Sequence, residues 1–191
     1  MSVVFTPQRM RISVDRYEKM VETGVLTKYD RVELIDGDMV NEPPINLPHS
    51  AVMARLTQLL VLSAHHSATV SPGGSLRLGD YSVPQPDLML LKLREDFYSG
   101  RRPTVSDVLL LIEISDSSLA YDRGTKRALY ARHGVTEYWV VDVRGERVYI
   151  YSEPAEGVYA QVSKCSAVDT ISPRALPAVQ ISVGTLFPGG H

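Results

Sequence analysis

Residues 108–143 read VLLLIEISDSSLAYDRGTKRALYARHGVTEYWVVDV. A near-continuous apolar run over 108–114 is broken by one acid, Glu113. A Ser/Asp turn leads into a basic helical pattern, and a second apolar run over 138–141 closes on Asp142. Strand, helix, strand is the βαβ pattern, and strands apolar throughout are usually covered on both faces. This stretch limits the chain to an α/β or α+β fold with a mixed sheet. A carboxylate inside such a strand is costly unless another group pairs with it or uses it. Glu113 is therefore the first candidate functional residue.

The rest of the chain adds elements around this unit. Residues 1–12 read as an irregular arm. Ser13 stands at an N-cap position, and Tyr17, Met20, Val21 and Val25 fall near helical spacing, giving a short helix that stops around Gly24. Two short apolar runs flank Asp36-Gly37, a strong hairpin signal. Residues 41–48 are a proline-rich loop. From His49 the apolar positions are helical, ending at His65-His66. Strands are expected at 69–70 and 76–78, around Pro72-Gly73-Gly74, and over 83–91, where two prolines open the segment. Residues 94–107 read as a polar surface loop. Beyond the central unit, Arg144-Gly145 turns 140–143 back onto 148–151. Residues 158–162 and 168–171 read as short strands, and the apolar tail 176–187 packs on the sheet.

Length and composition bound the function classes. The 191 residues suffice for one domain with a real core, and no repeat or linker divides them. The expected organisation is a single domain over 1–191: helix and hairpin in 13–42, a core over 48–143, and C-terminal strands in 144–191. Net charge is -2, so overall charge neither demands nor excludes a nucleic-acid partner. Cys165 is the only cysteine, which rules out an intrachain disulfide and fits a cytoplasmic location. No Cys and His spacing suits a structural zinc ion. No signal peptide is expected at the N-terminus, and no apolar run approaches the roughly 18 residues of a membrane span.

Three polar residues stand where the pattern favours apolar ones. Asp87 follows Pro86 and opens the run 88–91; Glu113 interrupts 109–114; Lys126 lies on the following helix. A right-handed crossover returns that helix across the sheet near the end of the strand that carries Glu113. If the strand of Asp87 is its neighbour, both carboxylates converge at one edge of the sheet and Lys126 approaches from above. Two convergent carboxylates are a common way to hold Mg²⁺, which keeps several waters and takes phosphate oxygens as further ligands. A nearby lysine can orient a water or stabilise charge building on a phosphate.

At these residues the chain resembles a known family. Gln85-Pro86-Asp87 followed by Glu113-Ile114-Ser115 is similar to the PD-(D/E)xK nuclease superfamily, and the closer resemblance is to its Uma2 family, also called DUF820. The similar segments are Val32-Glu-Leu-Ile-Asp-Gly-Asp, Pro48-His49, Gln85-Pro-Asp-Leu, Ile112-Glu-Ile-Ser, Tyr121-Asp-Arg-Gly-Thr-Lys126 and Tyr130-Ala-Arg-His-Gly-Val-Thr-Glu-Tyr-Trp-Val-Val-Asp142. The resemblance implies a restriction-endonuclease-like core and a nuclease site using Mg²⁺ or Mn²⁺. Asp87 and Glu113 would be metal ligands, with the Ile114 carbonyl and, as a further acid, Glu33. Where the wider superfamily has a lysine two positions after the glutamate, this chain has Ser115. Lys126 matches a lysine moved to the next helix.

A structural reading stands beside each assignment. Asp87 can cap a turn; Glu113 and Lys126 can form a buried pair. Lys126 can also pair with Asp122 across one helical turn, worth about 0.2–0.5 kcal/mol. Asp122, Lys126, Tyr130 and His133 share one helical face, either lining a cleft or solvated. His49, Ser115, Asp122 and Tyr130 are further candidates for the site. Residues 123–133 carry Arg123, Lys126, Arg127 and Arg132 and no acid, which suits phosphate contacts, with Arg123 and Arg127 as nucleic-acid-binding candidates. The function expected is a metal-dependent endonuclease acting on DNA, with a homodimer to cut both strands. The alternative is a nuclease-fold module without catalysis that binds nucleic acid or protein.

Overall fold

Asp36 and Gly37 both take positive φ, 52° and 87°. Two consecutive central residues in that region turn a hairpin tightly, and glycine adopts it without strain. The turn joins β1 (Val32–Ile35) to β2 (Asp38–Asn41) in antiparallel register, Ile35 opposite Asp38. A computed structural model describes residues 9–27, 29–64 and 66–187. The expected arm over 1–12 lies largely outside the described residues, as does His65. The described chain forms two compact units, one reaching to Glu42 and including Arg77–Pro84, the other made of Pro43–Leu76 and the chain from Gln85 onward.

In the first unit, α1 (Val14–Glu22) begins at Ser13, whose side chain accepts the Arg16 N–H. That is the cap the sequence indicates. Val14 and Tyr17 bury against Leu34 and Val83, and the Tyr17 hydroxyl donates to the Val32 carbonyl at 2.8 Å. Val83 meets Leu34 in an isolated bridge, and Leu78 bridges Ser82. The expected strand over 76–78 is thus reduced to isolated bridging residues, Arg77 and Leu78. The expected strand over 83–91 is split: Val83 serves this unit, and only Leu88–Leu91 forms a strand of the main sheet.

The second unit is built on a six-stranded sheet. Its strands are β3 (Thr69–Pro72), β4 (Leu88–Leu91), β5 (Val108–Ser115), β6 (Glu137–Asp142), β7 (Arg147–Ala155) and β8 (Val158–Cys165), in that spatial order. Only β5 and β6 run parallel, as the βαβ pattern requires; the other neighbours are antiparallel. Strands buried on both faces explain the unbroken apolar runs. One face packs on α2 (Leu47–Ala64) through Val52, Leu56 and Leu60, against Leu88, Leu90, Leu110, Ile112, Trp139 and Val141. The C-terminal segment shares that core through Val179, Ile181, Val183, Leu186 and Phe187, with β9 (Thr170–Ile171) pairing β10 (Ile181–Ser182).

Between β5 and β6 the helical segment has three parts. These are α3 (Leu119–Tyr121), a π-helical turn Asp122–Lys126, and α4 (Arg127–Arg132). The π turn contains Gly124, and a wider turn inside a helix recurs at functional sites. Among the described residues no helix is long and apolar enough to cross a membrane.

Candidate active site

The pairing of β4 with β5 sets Leu88 opposite Ile112 and Met89 opposite Leu111. One step beyond the ladder, the same register places Asp87 across from Glu113. Opposed residues of an antiparallel pair project to the same face, with Cβ atoms about 4.5–5.5 Å apart. Glu113 projects to the face away from α2, since its neighbours Ile112 and Ile114 belong to the α2 core, while Asp87, just before β4, reaches His49 on the first turn of α2. Both acids therefore lie at the ends of two interior strands, and not at the outer edge of the sheet.

Each acid is held by named donors. Lys126 Nζ lies 2.9 Å from Glu113 Oε1, and the Tyr130 hydroxyl donates to the same oxygen at 2.8 Å. Glu113 is 4% exposed and Lys126 6%, so this is a buried ion pair. Asp87 accepts the Ile114 backbone N–H on Oδ2 at 2.7 Å and meets His49 Nε2 with Oδ1 at 3.0 Å. The Asp87 side chain is 20% exposed and that of His49 12%, so solvent reaches the pair from their side. In a strand, one residue's N–H and C=O point toward the same neighbour. The Ile114 carbonyl therefore leaves β5 on the side of Asp87.

Asp122 forms a second layer. Its carboxylate accepts the hydroxyls of Ser115, at 2.7 Å, and Ser118. Its main-chain carbonyl accepts from the Tyr138 hydroxyl at 3.1 Å. Burial raises the Asp122 carboxyl above its ordinary value, opposed by the Lys126 charge and the two serine hydroxyls, and reinforced by the Asp87 charge. Burial, then the nearby Glu113 and Asp122 charges, pushes the Tyr138 hydroxyl well above its ordinary value. A carboxyl raised in the folded state binds its proton more tightly there than in the unfolded chain. It favours folding below the unfolded value, and that contribution is lost as pH rises through the raised value. Asp122→Asn keeps an oxygen for both serines and removes the charge. The variant is expected to show a flatter decline of urea midpoint with pH above about 4, the ordinary Asp range. An unchanged profile would mean that Asp122 does not supply it.

The structure brings together Asp87, Glu113, Ile114, Lys126, Tyr130, His49, Ser115 and Asp122 within the second unit. The face shared by Asp122, Lys126 and Tyr130 is buried, while His133 is only half-buried. Arg123 donates to the Tyr151 hydroxyl at 2.9 Å and sits 3.7 Å above the Tyr149 ring, a seat within the protein. Arg127 is exposed, 5.6 Å from the Tyr151 ring. Glu33 lies in the first unit, buried on β1.

Among the described residues no three His, Cys, Asp or Glu side chains are grouped to hold a metal ion. The donors present are two carboxylates and a main-chain carbonyl, all hard oxygens. That set fits a hydrated Mg²⁺ or Mn²⁺, which needs only one or two carboxylates beside its waters. It does not fit zinc, whose closed sites take four protein ligands rich in Cys and His.

Comparison with known proteins agrees with the resemblance. The model of the Uma2 family, described as "Putative restriction endonuclease", matches residues 14–184. No curated protein matches the sequence. A crystal structure described as "a putative nuclease belonging to DUF820", from Anabaena variabilis, superposes with a TM-score of 0.72 at 18% identity. The match covers 92% of this chain and 97% of that one, and shows a shared fold.

Proposed function

The chain belongs to the Uma2 family, and from that premise we propose that it is a divalent-metal-dependent endonuclease hydrolysing phosphodiester bonds in DNA. The observation that carries this reading is the lysine and tyrosine converging on one oxygen of Glu113, with Asp87 across the ladder from it. A buried acid and lysine contribute little net stability compared with a well-packed apolar pair. Chemistry accounts for such a pair at the ends of two strands better than stability does.

Asp87, Glu113 and the Ile114 carbonyl would hold Mg²⁺ or Mn²⁺. Such an ion, when bound, acts as a Lewis acid on the phosphate and makes its water a better nucleophile. Lys126 places a fixed positive charge where negative charge builds on the phosphate, in a site already organised before substrate arrives. Tyr130 shares the oxygen that Lys126 uses and so limits where that oxygen points. The Ile114 N–H and His49 together engage both oxygens of Asp87. Arg127, exposed on α4, is assigned to flanking backbone phosphates. Cleaving both strands of a duplex takes two such sites, which a homodimer supplies.

A second reading has its own observation. Both Asp87 oxygens and Glu113 Oε1 already have partners within the protein, and Ser115 stands where the wider superfamily carries its lysine. A retired site kept as a polar support would look similar, in a module that binds without cutting. Incubation with supercoiled plasmid separates the two. The nuclease reading expects open-circular product with Mg²⁺ or Mn²⁺ and none with EDTA. Salt-dependent DNA binding with no nicking in either metal would favour the module.

A further inference from the structure

The hydrogen bonds behind His49 lead away from the proposed catalytic carboxylates to the surface. Asn46 precedes the first residue of α2 and caps that helix. Its side-chain Oδ1 accepts the His49 backbone N–H at 3.0 Å, and its carbonyl accepts from Ser50 at 3.0 Å. Its amide nitrogen reaches across 70 residues of sequence to Asp116 Oδ2 at 2.5 Å. Asp116 immediately follows β5 and takes Arg144, in the turn between β6 and β7, through Nε at 2.8 Å and Nη2 at 3.3 Å. The Asp116 side chain is 13% exposed, whereas that of Arg144 is 71% exposed. The Arg144 and Asn46 hydrogen bonds hold the Asp116 carboxyl below its ordinary value. Every link lies in the second unit.

A helix cap needs only an oxygen acceptor, and serine supplies one as well as asparagine. The hydrogen bond that the Asn46 amide donates to Asp116 is surplus to capping. It ties the first turn of α2 to the end of β5, where the two acids sit. We propose that Asn46, Asp116 and Arg144 are positioning residues: they lock the first turn of α2 so that His49 Nε2 stays on Asp87 Oδ1, fixing the direction in which Asp87 presents its carboxylate. The role assigned to that carboxylate rests on the metal-site reading above; the chain of contacts does not. Outer-shell partners of this kind typically change metal affinity about 10–100-fold when removed.

The test uses the full chain and two readouts. The first is the side-chain ¹⁵N resonances of His49 in metal-free protein, identified through His49→Gln. Asn46→Ser keeps the cap and removes the donor to Asp116; Arg144→Gln loosens Asp116 from the exposed end, where the fold tolerates change. Both are expected to shift the His49 Nε2 resonance in the direction that Asp87→Asn shifts it, with the thermal midpoint near that of the native chain. His49 resonances unmoved in both folded variants would overturn the proposal. The second readout is Mn²⁺ titration followed by electron paramagnetic resonance. Asn46→Ser is expected to raise the dissociation constant about 10-fold; native affinity in that variant, where Asp87→Asn does weaken Mn²⁺ binding, would also overturn the proposal. A moved His49 resonance beside Mn²⁺ binding that ignores Asp87→Asn would uphold the positioning chain and reject the metal site.

Discussion

Lys126→Ala is expected to lower metal-dependent nicking by about 10²–10³-fold, the usual effect of deleting one preorganised stabilising group. The ammonium is 2.9 Å from Glu113 and sits on a π turn, which sets its height above the sheet. Alanine removes the charge and leaves Glu113 buried with the Tyr130 hydroxyl still on Oε1. The same change also weakens the fold, because the carboxylate loses its counter-charge in a dry setting. Nicking is therefore measured at a temperature where circular dichroism shows the variant folded. Residual activity within a factor of a few of the native chain would remove Lys126 from the reaction.

Glu113→Gln carries the larger stability effect. It strands the Lys126 ammonium, which is 6% exposed, without its carboxylate. Breaking one partner of a buried pair costs about 3–5 kcal/mol, read as a fall in the urea midpoint. The double replacement Glu113→Gln with Lys126→Met removes both charges at similar volume. It is expected to regain most of that stability, since apolar replacements of buried pairs are often neutral or better. Nicking should remain absent in both. Stability regained together with nicking would show that the pair serves the fold alone.

Much of the scaffold was legible because its signals are local. Ser13 as a cap, Asp36-Gly37 as a turn and the βαβ order of 108–143 depend on neighbours in sequence. The acid and lysine were legible because Glu113 and Lys126 violate an apolar pattern. Segments whose fate is decided by distant partners were not. Leu76–Leu78 has strand composition, yet it forms isolated bridges, Leu78 with Ser82, and no strand. The run 83–91 looks like one strand, but Val83 pairs with Leu34 while Leu88–Leu91 pairs in the main sheet. No local pattern marks a segment shared between two units.

The site shows the same division. Asp87 stands opposite Glu113 only because of the β4–β5 register, which the sequence leaves open. Helical periodicity placed Asp122, Lys126 and Tyr130 on one face, and all three are buried on it. The π turn that spaces them was hidden, with Gly124 its one local trace. The start of α2 was missed by two residues, since prolines at 43, 44 and 48 masked the Asn46 cap. With the cap went the contacts from Asn46 and from Arg144 to Asp116, which join three separate loops.

The most direct measurement is anomalous diffraction from crystals grown with Mn²⁺. The account predicts one peak at the ends of β4 and β5, bonded to a carboxylate oxygen of Asp87, one of Glu113 and the Ile114 carbonyl, with waters completing the shell. Mn²⁺ absent from that position in protein that nicks DNA, or bound there in protein that never does, would contradict it.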